Sequence, residues 1–262
     1  LKSMPLRICF IASEVAPFAK TGGLADVAGA LPRYLRGQGH DVRVFMPLYP
    51  SIGMLALGAR QVAEVRNVPL RLGSHPYTFS LLEAPLPDSA ASIYLVHCPA
   101  AFDRPTLYTD AADEHLRFLV LQRAALESCQ RLQFAPQIAH CNDWHTALVP
   151  LLLKSVYAWD RLFAATRSIM SIHNIGYQGR FAADTVYDMG GDVASLLAPS
   201  VAATGTVNWL REGIRHADRV TTVSPTYARE ICTPLGGHDL DADLRARTDG
   251  VTGILNGADY QE

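Results

Sequence analysis

The 262-residue sequence holds only five cysteines, Cys9, Cys98, Cys129, Cys141 and Cys232, and no two of them form a C-x-x-C pair. An odd, scattered set supports neither a disulfide framework nor a zinc site, and it fits a reducing cytoplasm. Long apolar runs are lacking too. No stretch approaches the ~20 residues that a bilayer helix needs, and the first apolar run, residues 8–12, is closed off by Glu14, so it reads as a strand and not a signal. Neither sign of charge dominates, with 23 Lys and Arg against 25 Asp and Glu. Without a basic stripe to neutralise phosphates, a nucleic-acid partner is disfavoured. Internal repeats and low-complexity tracts are absent, which excludes solenoids and linkers.

What is present is an ordinary globular composition, 49% hydrophobic and 18% charged, long enough for one large α/β domain over residues 1–262. Residues 1–3 precede Met4 and read as a tag remnant. Residues 7–12 form a short apolar run with the look of a strand buried on both faces. Leu24, Val27, Ala28, Leu31 and Leu35 then fall on one helical face, closed by Gly37 and Gly39, with Pro32 expected to kink the helix. Residues 41–45 supply a second strand and complete a right-handed strand-helix-strand unit. The rhythm recurs as strand 92–96, helix 113–132, strand 137–140, helix 145–158 and strand 168–172. Helix 207–216, strand 219–223 and helix 225–232 follow, the last with Ser224 as N-cap and Pro225 in its first turn. Residues 60–83, with a Gly73-Ser74 turn, read as an inserted antiparallel hairpin. Residues 233–248 read as a loop or weak helix, and 253–255 as a last short strand. The expected architecture is therefore a Rossmann-like, mostly parallel sheet flanked by helices.

In such sheets ligands gather beyond the carboxyl ends of the strands. KTGGLAD, residues 20–26, follows the first strand and opens the first helix. Its two glycines permit close approach of a ligand, the helix N-terminus carries positive potential, and Lys20 adds a charge, so anionic oxygens would be welcome there. The loop is neither G-x-G-x-x-G nor G-x-x-x-x-G-K-[ST], and Asp41 stands at the wrong end of the second strand to hold a ribose, so nicotinamide binding is disfavoured.

HCNDWH, residues 140–145, piles polar groups where a strand meets a helix. His140, Cys141, Asp143 and His145 match no familiar metal-ligand spacing. Asp143 and His145 suit sugar hydroxyls and Trp144 offers an apolar face, although a helix cap and a packed aromatic account for the same residues. IHNIGYQG, residues 172–179, resembles a polar cradle. Asn256-Gly257 is locally only a turn, and Tyr108 locally only a half-buried tyrosine.

Taken in order, KTGGLADVAGALP, YTD, HCNDWHTALVPLLLK, IHNIGYQG, NWLREGIRHADRVTTVSPTYAREI and ILNGAD resemble the amino-terminal domain of the ADP-glucose-dependent glycogen and starch synthases. That resemblance implies a GT-B architecture, in which a second Rossmann-like domain, not contained in this sequence, holds most of the nucleotide. It implies transfer of glucose from ADP-glucose to the non-reducing end of an α-1,4-glucan, with retained configuration and with neither metal nor cofactor. Mapped by motif, Lys20, Gly22, Gly23 and Asn256 would bind the donor. His173, Asp26 and Asp143 would line the reacting centre, and His145, Asn174, Gln178 and Tyr108 would meet sugar hydroxyls or the acceptor. Residues 186–206 depart from the family pattern, because they lack its Gly-Leu-Glu-Phe-like segment. The competing expectations are a non-catalytic glucan-binding module and a GT-B enzyme that uses a UDP-sugar.

Overall fold

The computed structural model describes residues 4–53 and 58–257. The tag expectation at residues 1–3, and the Ala258-Asp259 end of the last motif, lie outside the described residues. The chain opens with β1 (Arg7–Ile11), α1 (Gly23–Gly37) and β2 (Asp41–Pro47). The short β3 (Arg60–Gln61) precedes β4 (Val68–Leu72) and β5 (His75–Pro85), the expected hairpin turning at Gly73 with φ 54°. β6 (Ser92–His97), α2 (Pro99–Phe102), α3 (Glu114–Arg131), β7 (Ile138–Asn142), α4 (Val149–Lys154) and β8 (Arg167–Ile172) continue the alternation. β9 (Arg180–Ala182), α5 (Gly191–Thr204), β10 (Thr206–Asn208), α6 (Trp209–His216), β11 (Arg219–Thr222), α7 (Pro225–Glu230), α8 (Asp241–Arg245) and β12 (Val251–Gly253) complete it.

The main sheet runs β12-β11-β8-β7-β1-β2-β6-β5-β3, with β4 added to β5. Every pairing from β12 through to β6 is parallel, and within this sheet, among the described residues, the antiparallel pairings belong to the inserted hairpin. The mostly parallel, helix-flanked sheet thus agrees with the sequence pattern. From β1 the chain moves outward through β2 and β6, then returns to place β7 on the other side of β1. That reversal makes the gap between β1 and β7 the topological switch point, where a parallel sheet opens a crevice.

Strand burial follows this topology: Ile8 to Ile11 are buried, as a strand covered on both faces requires. α1 buries Leu24, Ala25, Ala28, Gly29 and Pro32, and Pro32 sits inside the helix without ending it. Gly29 is a steric necessity, since a Cβ there would lie 2.7 Å from the Ala16 carbonyl oxygen. The segment between β1 and α1 therefore lies directly on the helix, and Ala16 N–H donates to the Ala25 carbonyl at 2.9 Å.

Local differences from the sequence reading have identifiable causes. The helix expected at 145–158 is a single 3-10 turn, Trp144–Thr146, followed by α4, because Pro150 has no N–H to carry a hydrogen bond through. The helix expected from 207 starts at Trp209. Residues 206–208 instead pair antiparallel with β9, with Asn208 capping α6 by accepting from the Arg211 N–H. The segment that departs from the family pattern supplies α5.

Candidate functional site

The site grows from the two loops that flank the switch point. Asn142, the last residue of β7, is buried, and its amide N–H donates to the Ile11 carbonyl at 2.9 Å across the gap. That bond leaves the Asn142 side-chain oxygen Oδ1 for His173 Nε2, 3.0 Å away. Nε2 must therefore carry the proton, and Nδ1 is an acceptor with no partner in the protein. Burial pushes the His173 pKa down to about 4, so the ring is neutral near pH 7.

Asp143 follows with φ 55° and ψ −176°, a conformation that costs a non-glycine residue on the order of 1–3 kcal/mol. The strain turns its carboxylate onto the next loop, where one oxygen accepts from His173 N–H at 2.7 Å and from Asn174 N–H at 3.3 Å. Burial pushes this carboxyl up to about 7 against the pull of those two bonds, and the neighbouring charge of Glu14 adds to the rise. Asp143 thus holds the His173 loop by its backbone.

Beyond β1, Lys20 and Asp26 form an exposed pair at 2.6 Å. Gly23 has open space where a Cβ would stand, and Gly22 meets only a Glu14 carboxylate oxygen at 4.0 Å, so the glycines keep the outer face of the loop clear. Glu14, which the sequence reading treats only as the end of an apolar run, is buried beneath this loop and accepts from Thr21 N–H at 2.6 Å and Thr21 Oγ1 at 2.8 Å. Tyr108 joins the same wall. Its hydroxyl shares a hydrogen bond with Ser13 at 2.8 Å, while Tyr49 donates to the Ser13 carbonyl at 2.7 Å. The loop that carries Tyr108 is set by Arg117, fully buried, which pairs with Glu114 at 2.7 Å and donates to the Ala101 and Leu107 carbonyls.

Other predicted residues lie behind this wall. Trp144 is 8% exposed and packs against Phe118, Phe181 and Trp209, so it is core and not an open platform for a sugar. His145 is buried with its ring stacked on Tyr108 at 4.7 Å, and burial pushes its pKa down to about 3. Gln178 is buried with its amide fully engaged: it donates to the Ile175 and His238 carbonyls and accepts from Arg180 and Asn208. It frames the loop on which Asn174 is exposed. Asn256 is exposed beyond β12, at the same end of the sheet as Lys20 and His173 but four strand spacings from β1, roughly 19 Å. Among the described residues, no group of three or more His, Cys, Asp or Glu is arranged to hold a metal ion.

This crown of loops can be set beside known proteins. A family model described as starch synthase catalytic domain matches residues 7–246. The chain belongs to that family. It is 42% identical to the glycogen synthase of Aeromonas salmonicida (strain A449), over 98% of this chain and 53% of that protein. It is 43% identical to the glycogen synthase of Syntrophotalea carbinolica, over 97% of this chain and 52% of that protein. Among solved structures, the catalytic domain of starch synthase IV from Arabidopsis thaliana, bound to ADP and acarbose, superposes with a TM-score of 0.88 at 32% identity, over 98% of this chain and 52% of that one. The chain thus spans about half the length of the starch and glycogen synthases it matches. No helix among the described residues is long and apolar enough to cross a membrane.

Proposed function

We propose that this chain forms the acceptor-side wall of a retaining glucosyltransferase that moves glucose from ADP-glucose to the non-reducing end of an α-1,4-glucan. The observation that carries this reading is that the Lys20-Gly22-Gly23 loop after β1 and the Asp143 turn after β7, which pins the His173 loop, stand at the same end of neighbouring parallel strands. Names of relatives at about 40% identity and the ADP and acarbose held by the Arabidopsis neighbour support it. In the reaction, the bond between the anomeric carbon and the diphosphate breaks, one from that carbon to a glucan hydroxyl oxygen forms on the same face, and the hydroxyl proton passes to the leaving diphosphate. Negative charge grows on the leaving diphosphate, where Lys20 and the N-terminal end of α1 supply preorganised positive potential. The Asp26 carboxylate aims the Lys20 ammonium, and an arriving diphosphate competes for it.

His173, neutral and half-buried, borders the reacting sugar, and Asn174 adds an exposed amide. Tyr108, stacked on His145, borders the acceptor, and beside it lies a hollow of about 350 Å³ lined by residues that include Tyr49, Arg104 and Thr106. Asn256 closes on the donor from the far edge. We assign the opposite wall to a nucleotide-holding domain, since the chain spans about half the length of its relatives. The reaction needs neither metal nor cofactor, and the protein works in the cytoplasm, in keeping with its free cysteines.

The test is glucan elongation by the chain carried on to the full length of its relatives. ADP-glucose-dependent transfer is expected, and Lys20→Ala should weaken donor use at nearly unchanged stability, because an exposed lysine contributes little to folding. A folded full-length protein that binds maltooligosaccharides without transfer would favour the glucan-binding module, and preference for a UDP-sugar in donor competition would overturn the donor assignment.

A further inference from the structure

The glycine loop does not present all of its donors outward. The Thr21 N–H and hydroxyl turn inward to Glu14. Glu14 is 3% exposed, whereas Lys20, Thr21, Gly22 and Gly23 above it are exposed. A buried carboxylate under a glycine loop is unfavourable unless hydrogen-bonded, and here the loop itself provides the bonds. We propose that Glu14 is a positioning residue for the donor, a buried hydrogen-bond acceptor that locks the inner donors of the loop so that an incoming diphosphate meets Lys20 and the first turn of α1. The inference rests on the ADP-glucose reading above.

The geometry explains how the loop holds its shape. Its two glycines adopt negative or unremarkable φ angles, Gly22 at −156°, so backbone freedom is not what they provide. They provide clearance on the outer face, and a loop so bare of side chains has few contacts of its own to order it. Glu14 supplies that order from beneath, next to Ser13, through which Tyr108 and Tyr49 are tied.

The experiment compares Glu14→Ala, Glu14→Gln and Glu14→Asp in the chain carried on to the length of its relatives, with ADP-glucose and maltooligosaccharide as substrates. Glu14→Ala should raise KM for ADP-glucose at least tenfold, leave KM for the glucan nearly unchanged, and speed amide exchange at Thr21. Glu14→Gln, which retains an acceptor oxygen, should recover most of the donor affinity. A purely structural role would lower the active fraction without moving the donor KM, and that result overturns the proposal. Should Glu14→Ala fail to fold, Glu14→Asp, shorter by one methylene, decides the matter: an unchanged donor KM with unchanged exchange refutes it. A wild-type protein that folds and transfers nothing would instead refute the glucosyltransferase reading, which keeps the two failures apart.

Discussion

Asp143 is buried, holds the His173 loop through two backbone bonds, and has its carboxyl pushed from the ordinary 3.8 to about 7 by burial. A folded-state pKa above the unfolded one means that the native protein takes up a proton the unfolded chain does not. Stability from this group is therefore greatest at low pH and is lost as pH rises between 3.8 and about 7. At about 1.4 kcal/mol for each pH unit, the full loss is about 4 kcal/mol, and water penetration reduces it to roughly 2–4. Asp143→Asn keeps the accepting oxygen at the same place and carries no charge at any pH, and asparagine tolerates positive φ about as well as aspartate. The variant should match the parent near pH 4 and become roughly 2–4 kcal/mol more stable by pH 8. Urea unfolding from pH 4 to pH 8 measures this, provided the slope against denaturant stays constant. Asp143→Ala, which abandons both bonds, should be less stable by about 1–3 kcal/mol at the low end of the range. A stability difference between Asp143→Asn and the parent that does not change with pH would show that the carboxyl is not protonated on folding, and the argument from burial would fail.

Three further outcomes follow from the packing. Gly23→Ala places its methyl in open space at the first turn of α1, so thermal unfolding should shift little or rise slightly, while the full-length protein should use ADP-glucose at least tenfold less well; equal donor kinetics would show that the clearance serves no ligand. Gly179→Ala forces a methyl within 2.5 Å of the Trp144 ring at φ 61°, and should cost about 2–4 kcal/mol in urea unfolding, whereas a loss under ~0.5 kcal/mol would contradict the described contact. Arg117→Met takes the cation from the buried Glu114, which keeps only its bonds from Thr109, and strands two carbonyls, for an expected loss of about 3–5 kcal/mol by the same assay and a weakened response to maltooligosaccharides through the Tyr108 loop.

The parts of this molecule that were legible in the sequence are those governed by local pattern. Apolar runs such as residues 7–12 and the helical face from Leu24 to Leu35 announce themselves because burial on a parallel sheet tolerates little else. Motif order carried the family, since KTGGLAD, DWH and IHN each sit at a strand end where ligands gather. What stayed hidden depends on contacts between distant residues. β10 is three residues long and exists only because residues 180–182 come alongside it, which no window around 207 can reveal. His145 and Gln178 look like ligand-facing polar groups in a list of letters, yet their surroundings, an aromatic cluster for one and four hydrogen-bond partners for the other, turn them inward. Glu14 errs in the opposite direction. Its signal was an acid placed three residues after a buried strand and seven before the Thr21 hydroxyl that leads into a pair of glycines, where a solvated side chain would have been equally legal. Only the fold of the loop back over β1 makes that carboxyl the buried acceptor on which the outer face of the site depends.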